Sequence, residues 1–188
     1  LPIVWIDETA SLCFLWFAML GAAIAIDRSE HLRLTLFLNM FPQRFLGYIN
    51  SLALVLVATF LAAIIKPAIE YAIEEWVVTS AALNIPMTFR AAALPFGASL
   101  MLLLVMNNLL RRERLRDIVA AIVTVAVAAG LLFLASPTLE SFGNFNLAIF
   151  LGLFVAVFLA LGVPIAFCFG LGTLSYLTFT TWVPMIVM

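Results

Sequence analysis

Five stretches without a single charge divide this chain and predict its elements. They run from Thr9 to Ile26 (18 residues), Phe45 to Ile65 (21), Ala91 to Leu110 (20), Ile118 to Leu139 (22) and Ser141 to Met188 (48). A helix needs about 20 apolar residues to cross a bilayer, range about 17–25, so the first four each predict one spanning helix. The fifth would reach about 72 Å as one helix, against a hydrocarbon core of about 30 Å. It must break, and Gly162-Val163-Pro164 marks the place, because proline removes a backbone donor and clashes with the preceding turn. A kinked helix and a close pair of spans both fit this pattern.

Between the first two runs the pattern changes. Leu34, Phe37, Leu38, Phe41 and Phe45 recur at helical spacing opposite Thr35, Asn39 and Gln43, which suits a short helix lying in the membrane interface. The alternation Leu32/Leu34/Leu36/Leu38 also fits a strand, but an open strand edge at bilayer depth would leave backbone groups unpaired. The predicted fold class is all-α: a polytopic integral membrane protein with about five to six transmembrane helices and one interfacial amphipathic helix.

Composition agrees. The chain is 66% hydrophobic and 10% charged, with a mean hydropathy of +1.22, whereas ordinary soluble domains are about 45–50% apolar and about 25% charged. A soluble enzyme, a nucleic-acid binder and a disordered chain are all excluded on these grounds, and no nucleic-acid partner is expected. Cys13 and Cys168 both lie inside apolar runs and read as small buried hydrophobes, not a disulfide or metal pair. The chain begins at Leu1, almost on a polar motif, and stops at Met188 within an uncharged stretch. It is expected to be part of a longer protein, and it carries no secretory signal pattern.

The net charge of −1 conceals a segregated distribution. Arg28, Arg33 and Arg44 flank one connection and Arg111, Arg112, Arg114 and Arg116 fill another, two spans away and therefore on the same side. The opposite side has only Lys66 and Arg90, with the acids Asp7, Glu8, Glu70, Glu74, Glu75 and Glu140. Seven cations against two place the arginine-rich loops in the cytoplasm and Leu1 outside.

Candidate chemistry is sparse. Lys66, Glu70 and Glu74 share a helical face at i, i+4 spacing, as in an ordinary ion-paired stripe. His31 is the only histidine; beside Arg28, Glu30 and Arg33 it suits a local hydrogen bond or a functional contact, not a metal site. Asn50, Asn107 and Asn108 read as helix-end polarity or interhelical contacts, and Gly152, Gly162, Gly170 and Gly172 allow close helix approach. No nucleophile–base set, HExxH, P-loop or GxGxxG is present, so no catalytic residue is assigned and the chain is not expected to be an enzyme.

Three motifs together carry a family resemblance. Trp5-Ile6-Asp7-Glu8 resembles the W-x-[ED]-E that opens the second helix of the small membrane subunit of tripartite ATP-independent periplasmic (TRAP) transporters. The similarity continues through Phe14-Leu15-Trp16, Leu20-Gly21-Ala22-Ala23, and Ala25 to His31, where Arg28 stands next to the usually basic position, itself Asp27. Ala82-Leu83-Asn84-Ile85-Pro86 followed by Pro95-Phe96-Gly97 is similar to that subunit's L-x-I-P…P-x-G. Gly162-Val163-Pro164-Ile165-Ala166 resembles the G-V-P-I-A near the start of the large membrane subunit. Thr35 stands where an aspartate is common, and the usual first helix of the small subunit does not precede Trp5.

The resemblance implies three parts: residues 1–112 as the small-subunit scaffold lacking its first helix, 113–140 as a connecting transmembrane helix, and 141–188 as the beginning of the large transport subunit. It implies a sodium-coupled secondary transporter of organic acids (C4-dicarboxylates or sialic acids) in the bacterial inner membrane, served by a periplasmic substrate-binding protein. No cofactor is expected in this chain, and sodium is implied only for the complete transporter. The remainder of the large subunit and membrane lipid are the other implied partners. Trp5, Glu8, Gly21, Arg28, His31, Pro86, Pro95, Gly162 and Pro164 take structural roles on this resemblance, while the outward charges Asp7, Glu8, Glu70, Glu74, Glu75 and Arg90 are candidates for docking the partner. The competing readings are a membrane anchor or assembly protein and an autonomous small channel with no soluble partner.

Overall fold

Uncharged sequence does fold into long helices, but their ends do not coincide with the first charge. The computed structural model describes residues 4–27, 45–140 and 145–180. Helix α1 (Val4–Asp27) starts five residues before Thr9, so Trp5, Asp7 and Glu8 lie on the helix itself. Asp7 in its first turn complements the positive end of the helix dipole. Helix α2 (Leu46–Glu74) continues past Ile65 through Pro67. Pro67 cannot donate to the carbonyl one turn back, yet the helix is carried on by Ala68–Glu74 and by Lys66 Nζ lying 3.8 Å from Glu70 Oε1 across the next turn. At 29 residues α2 is about 44 Å long, which exceeds a hydrocarbon core of about 30 Å.

A one-turn helix α3 (Thr88–Ala91) leads into α4 (Ala93–Arg112), and only Glu113 and Arg114 separate α4 from α5 (Leu115–Glu140). Pro95 is tolerated because it falls in the first turn of α4, where backbone donors lack intrahelical partners anyway. Four stretches, Trp5–Asp27, Leu46–Glu74, Thr88–Arg111 and Leu115–Ser136, are long and apolar enough to cross a membrane. The protein is an all-α, multi-pass membrane protein.

The last uncharged run is two helices, α6 (Phe145–Ala160) and α7 (Ile165–Thr180). The middle of α6, Ala148–Phe154, is π-wound. The turn between them is a Schellman motif: Val163 N–H donates to Phe158 O (3.0 Å), Gly162 N–H donates to Leu159 O (2.9 Å), and Gly162 has φ 79°. Pro164 then starts α7, its carbonyl accepting from the amides of Phe167 (2.9 Å) and Cys168 (3.1 Å). The chain folds back on itself, with Phe150 meeting Tyr176 ring to ring at 6.2 Å and Gly172 packed against Phe150 and Val155. This antiparallel pair replaces the alternative of one kinked helix.

Two units share these elements: Leu1–Ser29 with Leu61–Leu104, and Glu30–Phe60 with Val105–Met188. In the second unit Ser51 is fully buried and its hydroxyl donates to Glu113 Oε2 (3.3 Å), while the Tyr48 and Thr124 hydroxyls lie 2.8 Å apart. Gly170 in α7 faces the Phe60 ring. Cys168 is buried, but Cys13 is exposed on α1, which corrects the expectation that both are buried. The proposed interfacial helix around 34–45, apart from Phe45, and the cations Arg28, Arg33 and Arg44 lie outside the described residues, as does His31.

Candidate functional site

The residues singled out by motif converge in the first unit, where α1 holds the segment that leads into α4. That segment leaves α2 at Glu74 and forms a small hairpin-like loop. Ser80 N–H donates to Ile85 O (2.9 Å), Met87 N–H donates to Val78 O (2.8 Å), and Thr79 and Pro86 form an antiparallel bridge. The tip closes with Asn84 N–H donating to Ser80 O (3.2 Å), and Asn84 itself adopts a left-handed conformation, φ 51°. Asparagine tolerates that conformation better than most residues because its short side chain bonds locally.

Glu8 fills this tip. Its two carboxylate oxygens accept the backbone N–H groups of Ala82 and Leu83, each at 3.0 Å. Two donors that a tight turn would leave without partners are thereby satisfied by one side chain. Ser80, buried beside them, accepts a further bond from Leu83 N–H at 3.3 Å. Two turns along α1, the Trp16 indole N–H donates to Phe89 O (3.0 Å), and its ring meets Phe96 at 5.5 Å. One turn further, Met19 packs on Gly97 so closely that an added Cβ would lie 2.7 Å from Met19 Cβ. Glu8, Leu12, Trp16, Met19 and Ala23 lie at i, i+4, i+8, i+11 and i+15, which is one helix face.

A shallow groove beside the clamp is lined by Glu8, Leu12, Ser80, Leu83, Pro86 and Arg90. The structure thus brings together Glu8, Pro86 and Arg90 from the motif and docking candidates. Asp7, Glu74 and Arg90 are exposed, Glu75 is half-buried and Glu70 pairs with Lys66. Trp5 is exposed, and its carbonyl accepts the Thr9 hydroxyl at 2.7 Å. Pro95 O accepts the Ser99 hydroxyl, also at 2.7 Å. Gly21 has open space around it, with nothing within 4 Å of an added Cβ. Gly162 and Pro164 belong to the α6–α7 turn of the second unit. Arg28 and His31 lie outside the described residues, and the side chain of Glu140 does also.

Ser80 and Met19 are parts of the site that motif reading passes over, and Asn84 stands at the unspecified position of L-x-I-P. The i, i+4 spacing from Glu8 was visible in the sequence, but apolar residues on every side of α1 hide which face is inward. Among the described residues no group of three histidine, cysteine or acidic side chains could hold a metal ion. What the contacts build is a mechanical clamp on a loop, made of hydrogen bonds and one close helix crossing.

Comparison with known proteins bears on what such a clamp belongs to. The family model for the DctQ component of tripartite ATP-independent periplasmic transporters matches residues 1–115. The isethionate TRAP transporter permease protein DctMQ of Oleidesulfovibrio alaskensis is 30% identical over 185 residues, 92% of this chain and 27% of its own length. The sialic acid TRAP transporter permease protein SiaT of Haemophilus influenzae is 23% identical over 192 residues, 96% of this chain and 31% of its own. The small permease protein SiaQ of Vibrio cholerae, of a sialic acid TRAP transporter, is 40% identical over 43 residues, 23% of this chain and 25% of its own. The chain spans about a quarter to a third of the length of the two larger relatives. At 92% and 96% of the chain, both of those similarities run on past the end of the family match at residue 115. Since that match takes in Glu8, Trp16, the 78–90 loop and Gly97 together, the chain belongs to the DctQ component family of tripartite ATP-independent periplasmic transporters.

Proposed function

We propose that this chain is the scaffold portion of a TRAP-type permease and that its clamped loop presents the docking face for a periplasmic substrate-binding protein. Residues 1–112 are the small-subunit scaffold, 113–140 the connecting helix, and 141–188 the opening of the large transport subunit, whose remainder is a partner. The complete transporter takes up an organic anion driven by sodium across the bacterial inner membrane. The relatives' isethionate and sialic acid are both acidic, which supports a small organic anion as the substrate class.

The observation that carries this reading is the pinning of the 78–90 loop to α1 by Glu8 and Trp16. A loop held at its tip and at one end is pre-organised, so less ordering entropy is lost when a partner binds it. The buried polar side chains among the described residues are Ser51, Ser80, Asn108 and Asn146, none of them ionisable. That composition supports a fixed wall in preference to an ion path.

The test uses the complete permease in proteoliposomes with its binding protein, comparing wild type with charge reversal at Asp7, Glu70, Glu74, Glu75 and Arg90. Uptake is expected to require the soluble partner and a sodium gradient, and to fall on charge reversal. Uptake that proceeds without the partner, or that ignores all five reversals, overturns the reading.

A further inference from the structure

The second unit carries a feature that docking does not use. Arg111, Arg114 and Arg116 are all exposed, and among the described residues no carboxylate pairs with them. Two acids share the same short stretch and would be expected to neutralise them. Both point elsewhere: Glu113 accepts the Ser51 hydroxyl at 3.3 Å, and Asp117 lies against Gly47, its Oδ2 3.1 Å from where a Cβ would sit. The acids turn toward α2, and the arginines are left facing outward.

We propose that Arg111, Arg114 and Arg116 form a site for the phosphate of anionic membrane lipids, whose acyl chains run past Leu110, Leu115 and Val119. Depth argues for lipid. Only two residues separate α4 from α5, and both helices are apolar enough to cross the membrane. A connection that short cannot rise far above the bilayer, so its guanidinium groups lie at the level of the headgroups. Guanidinium forks bind phosphate oxygens in pairs, which suits a phosphodiester. Leu110, Leu115 and Val119 are exposed directly beside these arginines. A basic cluster bordered by exposed aliphatic side chains matches both halves of an anionic lipid, whereas a free anion needs only the first.

The experiment places the full chain in nanodiscs of phosphatidylcholine containing a minority of phosphatidylglycerol, and measures the lipid retained by native mass spectrometry. Phosphatidylglycerol is expected to be retained preferentially, with the preference weakening at high salt. Each of R111Q, R114Q and R116Q should weaken it about fivefold, and the triple variant should abolish it. R114K, which keeps the charge but loses the fork, should fall between wild type and R114Q, and Lys66→Gln at the far end of α2 should leave the preference unchanged. Each single variant stands alone, so misfolding of the triple leaves the test intact. A triple variant that melts like wild type yet keeps the preference overturns the proposal. So does displacement of the lipid by millimolar inorganic phosphate, which would make this a site for a free anion.

Discussion

Met19 on α1 and Gly97 on α4 touch so closely that no side chain can be added to the glycine without moving a helix. An added Cβ at Gly97 would lie 2.7 Å from both Met19 Cβ and Met19 Cε. One of these atoms is the flexible end of a side chain, and the other is fixed to the helix backbone. Gly97→Ala should therefore lower stability by about 1–3 kcal/mol, the usual range for overpacking a filled contact. Met19→Ala in the same chain should recover only part of that loss, because its Cβ remains. Thermal unfolding of the double-mutant cycle in detergent measures both effects.

Glu8 gives a second prediction, read locally. Glu8→Ala removes the acceptor for two backbone amides, and Glu8→Gln keeps one side-chain acceptor oxygen. Hydrogen exchange at the Ala82 and Leu83 amides should be slowest in wild type, faster in the glutamine variant and fastest in the alanine variant. Equal exchange in all three would show that the loop holds its shape without the carboxylate.

The glycines of the α6–α7 pair and of α5 form a graded series. An added Cβ at Gly172 would meet the backbone oxygen of Phe150 at 2.8 Å, one at Gly170 would meet the tip of the Phe60 ring at 2.5 Å, and one at Gly130 would meet nothing within 4 Å. Alanine should destabilise most at Gly172, less at Gly170 where a ring can swing aside, and at Gly130 should stabilise by roughly 0.5–1 kcal/mol. Melting temperatures of the three variants test the order.

Gly162 belongs to a different class, since its constraint is conformational. With φ at 79°, Gly162→Ala should cost about 1–2 kcal/mol, and Gly162→Asn less, because asparagine tolerates left-handed backbone. Loss of signal from the α6–α7 contact, read by fluorescence of a probe at Tyr176, should follow the same ranking.

Much of this architecture was legible in the sequence because charges interrupt apolar runs at predictable lengths. Gly162 and Pro164 also marked the break correctly, since a left-handed cap followed by proline is readable from residue type alone. The helix ends were less legible. The first uncharged run leaves out Asp7 and Glu8, and only the W-x-[ED]-E resemblance puts them at the opening of a helix; both lie on α1, where Asp7 stabilises the first turn. The second uncharged run likewise stops at Ile65, yet nine more residues follow it in α2, as the i, i+4 spacing of Lys66, Glu70 and Glu74 indicates. The inward faces were illegible for a deeper reason. In lipid the outer side of a helix is as apolar as its buried side, so Phe14 and Phe17 stay exposed on α1 beside a face that packs. The Met19–Gly97 crossing and the contacts of Ser80 follow from that face, and no periodicity in α1 announces it.

The α6–α7 turn bears on how the protein is made. Its apex closes three backbone bonds around Leu161, Gly162 and Val163 without help from any charged side chain. Those three bonds reduce the desolvation penalty of the apex when it leaves water, and no charge on either arm resists the passage. The two arms are therefore suited to enter the bilayer together during synthesis, as one folded wedge, instead of being threaded one after the other.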